Sequence, residues 1–440
     1  MNKVSILILT HSEIGSFKNC LQEIIWHNTR QKDYEWEILV LLNGVEESLK
    51  QKYYEFKKFY EKKFNNIKFF ESDKNLNFSK ANNFLSKYAK GDYLLLINDD
   101  VILVNKVNTI KEMLDCFKRY ENVGVVGARL IYPNDKIQHA GVGFTENKPQ
   151  HLWWGFNDLH PSVMKEREFQ AVTFALAMIK KDVWEKLGGL LEPEKDDFEY
   201  YYEDIDFCLR ARELGYKIFY CPNAVAIHYG SLTAKKVVNI NEALKNLPNF
   251  MSKWKDKIKV DYYDFMNEKI PDDIPRILVA IPISEQNYWL KEFLLHNLLS
   301  LYYCRDLLTI FFIINNSGIR FINELREWAL FYGKMFDLKV VFPDEILFEN
   351  DKNKIIVETR NLAIKKAEEL NMTHIFFWDA DVYIPYDTLL KLTKINDDKY
   401  PITSGLVPYK DDFNRWMAFK IRDDVKNLNE FEERLKQMSD

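Results

Sequence analysis

In GDYLLLINDDVIL, residues 91–103, a run of large apolar side chains from Tyr93 to Ile97 opens after Gly91 and closes on Asn98-Asp99-Asp100. An unbroken apolar run of this length, bounded by turn formers, is a strand buried on both faces, the kind found in parallel sheets covered by helices. The same unit recurs towards the N-terminus. VSILILT (4–10) is followed by Ile14, Phe17, Leu21, Ile24 and Ile25 at helical spacing. EILVLLN (37–43), IKFFES (67–72) and a helix expected near 79–90 complete the series. Strand and helix alternating in this way predict an α/β fold with a doubly wound, mostly parallel sheet.

Ligands of such sheets sit beyond the carboxyl ends of the strands. The residues there are Thr10-His11, Asn43-Gly44, Ser72-Asp73 and, most notably, Asn98-Asp99-Asp100. Adjacent carboxylates at a strand end suit a hard divalent cation, whose shell phosphate oxygens complete. An acidic turn, which Asn and Asp favour in any case, fits the same letters.

Beyond this stretch the chain has the make-up of a folded protein, with 440 residues, 47% hydrophobic and 29% charged. That length favours two domains. The 61 Lys and Arg against 66 Asp and Glu are mixed throughout, so no general nucleic-acid surface is indicated. Neither GxGxxG nor GxxxxGK[ST] occurs, which argues against dinucleotide and P-loop sites. Five scattered cysteines without a CxxC pair suggest neither a disulfide framework nor a zinc site and fit a reducing cytosol. The apolar run in MNKVSILILTHSE meets His11 and Glu13 too soon for a signal peptide.

A second alternation follows a polar stretch that reads as a linker and ends in NEKIPDDIPR (267–276). It comprises RILVAIP (276–282), TIFFIINN (309–316), KVVF (339–342), a helix at 353–370 and HIFFWDAD (374–381). Its order, down to a strand that ends in Asp379-Ala380-Asp381, is that of the first half, which predicts a duplicated architecture.

Further chemistry is carried by YYYEDIDFCLRARELGYKIFYCPNAVAIHYG (200–230). Ile205, Cys208, Leu209 and Arg212 have helical spacing and Gly215 is the stop, so Glu203-Asp204 lies at a helix N-terminus. There the helix dipole is expected to keep Asp204 ionised and able to take a proton, with Asp206 turned away. Both acids are also simply good first-turn residues. His228, ending AVAIHY, is either structural or a metal ligand returning to the edge that holds Asp100. His139, with no carboxylate nearby in sequence, has the weaker claim to a role. Trp153, Trp154 and Phe156 are core residues or a platform on which a sugar stacks.

Four segments in order and spacing, KNLNFSKANNFLSKYAKGDYLLLINDDVIL (74–103), VGVVGARLIYPNDKIQHAGV (123–142), AVTFALAMIKKDVWEKLGGL (171–190) and residues 200–231, resemble the family 2 glycosyltransferases of GT-A fold. The rhamnosyltransferase-like branch, which builds bacterial surface polysaccharides, is the most similar, and the resemblance runs over about residues 3–262, including FMSKWKDK (250–257). It implies an inverting transferase that moves a sugar from a nucleotide-diphosphate donor to a hydroxyl of a glycan, glycolipid or glycoprotein acceptor, with Mn²⁺ or Mg²⁺ as cofactor. Carried over by position, Asn98-Asp99-Asp100 is the DXD-type motif, with Asp100 the metal ligand and Asp99 near the ribose or donor. Asp204 matches the catalytic base, Glu203 its neighbour at the acceptor, His228 the metal-binding histidine, and Thr10 and Asn43 nucleotide-side positions. Leu42 stands where the family usually has Asp, and Asn77 where it usually has Gly.

Residues 275–440 resemble a partial GT-A domain, set off from a first domain (1–262) by a linker (263–274). Asn316, Asp379 and Asp381 are its candidate nucleotide or metal residues, and it shows no second ED motif and no later histidine. The remaining readings are a fragment of a bifunctional glycan polymerase and a non-catalytic nucleotide- or glycan-binding module. A cytoplasmic location, peripheral to the membrane where the acceptor is lipid-linked, and no nucleic-acid partner are expected.

Overall fold

The computed structural model describes residues 2–104, 108–192, 201–230, 240–271, 274–285, 298, 301, 303–344, 346–379, 388–395, 402–403 and 418–420. The chain divides into two compact units, Met1–Asp158 with Ser162–Lys269, and Ile270–Asp440 with Leu159–Pro161.

In the first unit the apolar runs are strands: β1 (Lys3–Thr10), β2 (Glu35–Asn43), β3 (Ile67–Ser72) and β4 (Tyr93–Asn98). Helices α1 (Ile14–Thr29), α2 (Glu47–Lys63) and α3 (Phe78–Ser86) connect them. Asn77, in place of the expected Gly, caps α3 by accepting a hydrogen bond from the Lys80 amide at 2.8 Å, which satisfies one of the helix's free N–H groups. Successive strand residues alternate between two cores. Leu7, Leu39, Leu94 and Leu96 face α3, with Ala81 and Leu85. Val4, Ile6, Ile8 and Val40 face α1, with Phe17, Leu21 and Ile24. The short β5 (Val101–Leu103) and α4 (Thr109–Arg119) lead into β6 (Val123–Ile131) and β7 (Ile137–His139). After these come β8 (Val142–Phe144), β9 (Pro149–His151), β10 (Arg167–Phe169), β11 (Leu176–Lys180) and α5 (Lys181–Lys186), then α6 (Glu203–Glu213) and β12 (Lys217–His228).

The sheet runs β10-β12-β6-β11-β4-β1-β2-β3. The half from β4 to β3 is parallel, as the sequence predicts. Between β4 and β6, however, β11 lies antiparallel to both, so the sheet is mixed at its centre. LAMIK is as apolar as its parallel neighbours, and a strand buried on both faces carries no mark of direction in its letters.

The polar stretch after His228 departs from a linker. α7 (Ile240–Trp254) and α8 (Tyr262–Met266) belong to the first unit. Phe250 and Trp254 are buried in its core, and Phe265 and Met266 pack against it. Glu268 accepts from Lys165 Nζ and Arg167 Nη2, both at 2.5 Å. Residues 263–268, expected to be linker, are therefore tied to the fold.

The second unit holds β13 (Ile277–Ile283), β14 (Leu308–Ile314), β15 (Lys339–Val341), β16 (His374–Phe377), β17 (Ile402–Thr403) and β18 (Ala418–Lys420). Its helices include α9 (Ile319–Met335), α10 (Lys352–Glu369) and α11 (Thr388–Ile395). Sheet order is β15-β14-β13-β16-β18-β17, parallel from β15 to β16 with β18 antiparallel. The first unit places β3, β2, β1, β4 and antiparallel β11 in the same sequence. Among the described residues, no helix in either unit is long and apolar enough to cross a membrane.

Candidate active site

The turn Asn98-Asp99-Asp100 leaves β4 at the carboxyl edge and runs directly into β5, which pairs antiparallel with the end of β12. The register sets His228 opposite Val101, so that Asp100 and His228, 128 apart in sequence, become neighbours. His228 Nε2 lies 3.0 Å from Asp100 Oδ1, and the Tyr229 amide donates to the Asp100 carbonyl at 3.2 Å. On the other side of the ring, Nδ1 meets Gln138 Oε1. The amide of Gln138 is oriented by its Nε2, which donates to the His228 carbonyl at 3.4 Å. An amide oxygen only accepts, so Nδ1 donates to Gln138, and Nε2 is the nitrogen turned towards the Asp100 carboxylate.

Nε2 is a buried atom without a hydrogen bond, 3.0 Å from Asp100 Oδ1. A cation shared between them satisfies both, and the Gln138 contact is the outer partner that such a histidine usually has. Among the described residues no cluster of three or more His, Cys, Asp or Glu able to hold a metal occurs, so substrate oxygens would have to supply much of the shell. Asp99 is pushed up to about 7, first by burial and then by Asp100, while a hydrogen bond to the Thr10 hydroxyl opposes the rise. Thr10 also pairs with the Tyr53 hydroxyl at 2.9 Å.

Asn43 is spoken for by the protein. Its Nδ2 donates to Asn75 Oδ1 at 2.9 Å and the Leu76 carbonyl at 2.8 Å, and its Oδ1 accepts from the Leu76 amide at 2.8 Å. This side chain shapes the loop after β3.

Glu203 and Asp204 open α6, after Tyr201 and Tyr202 at φ 69° and 70°. Left-handed backbone at two successive tyrosines is strained, and such strain concentrates at functional sites. Tyr202 is held by stacking on Phe250 with ring centroids 5.0 Å apart. Asp204 Oδ2 accepts from the Phe174 amide at 3.1 Å and Oδ1 from the Ile205 amide at 2.8 Å. The sequence assigns Asp204 a dipole that keeps it ionised. In the fold burial acts against this and raises it, with the Phe174 and Ile205 amides opposing. Glu203 is raised by burial and by the Asp204 charge. Asp206 does turn away, as its helical position requires, and is fully buried.

A cleft of about 460 Å³ has Asn98, Glu203, Asp204 and His228 on its wall, together with Gln138, His139, His151 and Trp154. Thr10, Asn43, Asp99 and Asp100 do not line it. The aromatic cluster divides. Trp153, at φ 51°, is 1% exposed and packs among Phe169, Phe265 and the Arg167 guanidinium. Phe156 lies half-buried against the core, while Trp154 is 62% exposed. His151 lies outside the four segments that carry the resemblance, and only the fold joins it to the site.

In the second unit Asn316 repeats the contact pattern of Asn43: Nδ2 donates to the Glu349 carbonyl at 2.9 Å and Oδ1 accepts from the Glu349 amide at 3.0 Å. Asp379 is exposed just beyond β16, and Asp381 lies outside the described residues.

Residues 5–188 match the model of the family described as glycosyl transferase family 2. That span contains Asn98-Asp99-Asp100 and ends before Asp204 and His228. An uncharacterized protein, y4gI, of Sinorhizobium fredii is 34% identical over 160 residues, covering 35% of this chain and 17% of its own. The O-antigen biosynthesis protein RfbC of Myxococcus xanthus is 29% identical over 170 residues, covering 37% of this chain and 13% of its own. The chain thus spans less than a fifth of the length of these curated relatives. Among solved structures, a mannosyltransferase from Pyrobaculum calidifontis in complex with GDP-Man and Mn²⁺ aligns with a TM-score of 0.41 at 13% identity, over 60% of this chain and 68% of that one.

Proposed function

We propose, from the premise that the chain carries a family 2 glycosyltransferase domain over residues 5–188, that it transfers a sugar with inversion from a nucleotide-diphosphate donor to a hydroxyl of a glycan-type acceptor. The observation that carries this reading is the presence on one cleft wall of Asp204, a carboxylate aimed by two backbone amides, and of His228, whose Nε2 lies 3.0 Å from the Asp100 carboxylate behind it. Asp204 takes the proton of the attacking hydroxyl, and the raised affinity of its carboxyl for protons makes it the stronger base. Asp100 and His228 would hold Mn²⁺ or Mg²⁺, which would supply positive charge against the leaving diphosphate. No second carboxylate is needed as general acid, in contrast to glycoside hydrolysis. The likeness to a protein named for O-antigen biosynthesis supports a role in surface polysaccharide assembly.

The test is transfer from a panel of UDP-, GDP- and dTDP-sugars in the presence of Mn²⁺, read as released nucleotide. Transfer that survives Asp204→Asn sinks the assignment of the base. For the pair, Mn²⁺ with UDP is expected to raise the melting midpoint of the wild type, since a ligand that binds only the folded chain stabilises it. His228→Ala and Asp100→Ala should each reduce that rise. An equal shift in both variants would place the cation elsewhere.

For the second unit we propose nucleotide binding without complete catalysis. The supports are its strand order and Arg360, whose guanidinium lies 4.2 Å over the Phe377 ring with a buried, unpartnered Nη1. Calorimetric titration of the full chain bearing Asp100→Ala and His228→Ala with UDP and Mn²⁺ should still find one site, lost on adding Asp379→Ala. No heat in the double variant would make this unit a scaffold.

A further inference from the structure

Three residues on the cleft wall, His139, His151 and Trp154, take part in neither the proton transfer nor the cation pair. The Thr173 amide approaches His139 Nε2 at 3.3 Å, and an amide N–H only donates, so that nitrogen bears a lone pair. The proton of the neutral ring is on Nδ1, which donates to Nδ1 of His151 at 2.8 Å. His151 is left with its proton on Nε2. Burial, then His151 and His228, hold His139 well below the usual imidazole range. In this geometry each ring carries one proton, on Nδ1 of His139 and on Nε2 of His151, and the pair is uncharged. Among the described residues no protein group accepts from His151 Nε2, which belongs to an exposed side chain on the cleft wall.

The backbone fixes this donor relative to the base. Thr173 donates to His139, and the next amide, Phe174, donates to Asp204. Gly141, at φ +110°, lets β7 turn into β8, so that β9, paired with β8, returns His151 to His139. A Cβ at that glycine would stand 2.4 Å from the Phe169 ring. Beside the pair, Trp154 is held by its Nε1, which donates to the Tyr132 hydroxyl at 3.2 Å. No Lys or Arg occurs among the described residues lining the cleft, so a phosphate or carboxylate ligand has no counter-charge on this wall.

We propose that Trp154 and the His139–His151 pair form a subsite for a neutral pyranose, the indole covering the apolar face of the ring and His151 Nε2 donating to a ring or hydroxyl oxygen. A pyranose has one C–H face and a polar rim, which matches an exposed aromatic face beside a fixed uncharged donor. That the pyranose is the acceptor rests on the transferase reading; that the subsite takes a sugar rests on the wall itself. His151 and Trp154 are positioning residues, which place the hydroxyl at Asp204.

Saturation-transfer NMR of the full chain with methyl α-D-mannopyranoside, methyl α-L-rhamnopyranoside and methyl β-D-galactopyranoside tests the subsite. At least one probe should receive saturation on its ring protons, with affinity reduced about five-fold or more in Trp154→Ala, in line with the worth of an aromatic contact. His151→Ala should weaken the same probe, and His151→Gln, which restores an N–H donor, should recover part of the loss. UDP binding with Mn²⁺ should be unchanged in all three. Long-range ¹H–¹⁵N spectra should show His139 protonated at Nδ1 and His151 at Nε2. Silence from every probe, unchanged binding in the variants, or the opposite tautomers overturns the subsite. Glycoside binding without any turnover of nucleotide sugars overturns the transferase reading and leaves the subsite standing.

Discussion

Asp204→Asn is expected to lower transfer by about 10²–10⁴-fold, the usual contribution of a positioned general base, while nucleotide binding with Mn²⁺ is retained. The amide keeps the shape of the side chain and loses the ability to take a proton. One of the Phe174 and Ile205 amides also loses a carboxylate acceptor, so a modest shift in melting midpoint accompanies the loss. The pH profile separates the two effects. Burial raises Asp204 in the fold, so over the window between its unfolded value near 4 and its folded value the native chain binds more protons than the unfolded one. Stability should therefore fall as pH rises through that window, whereas kcat/KM should climb. Glu203, raised by burial and by its neighbour, adds to the same stability trend. Asp204→Asn should flatten the activity limb and reduce the stability slope. A wild-type profile flat from pH 4.5 to 8 would mean that proton transfer to Asp204 does not limit the reaction.

What the letters reveal and what they conceal follows from the range of each interaction. The strands of the first four units are written locally, because an apolar run between turn formers needs no distant partner to be recognised. The helix start at Glu203 and the turning of Asp206 away from the base are also local, fixed by the 3.6-residue period. By contrast, the approach of His228 to Asp100 is decided by the pairing of β5 with β12, which spacing alone does not encode. The direction of β11 was hidden for a related reason, since its pattern fits either orientation. Asn43 illustrates a third kind of concealment. A polar residue beyond a strand end suggests a ligand, yet here its hydrogen bonds are consumed by the Asn75 and Leu76 loop. Ionisation at Asp204 is a contest between a helix dipole visible in the sequence and a burial visible only in the fold.

Asp206→Ala is expected to cost about 3–5 kcal/mol, the loss that follows removal of one partner from a buried charged network. The carboxylate is fully buried and accepts from Arg210 Nε at 2.7 Å, Lys253 Nζ at 2.8 Å and Trp254 Nε1 at 2.9 Å. These donors differ in what they can do when it is gone. The Lys253 side chain is 39% exposed and can turn to water, so Lys253→Met should cost no more than about 1 kcal/mol. Arg210 keeps the Leu187 and Gly189 carbonyls, both at 3.0 Å. Trp254 is enclosed, and its indole N–H would be left without an acceptor, a penalty of about 1–3 kcal/mol by itself. Urea unfolding should rank the variants Asp206→Ala, Trp254→Phe and Lys253→Met in falling severity. The same carboxylate ties α6 to α7 two residues after the base, so its removal should also disturb catalysis. Once corrected for the folded fraction, kcat should fall with little change in the KM for the nucleotide sugar. Full kcat in the folded fraction would confine Asp206 to stability and leave the aim of Asp204 to the Phe174 and Ile205 amides alone.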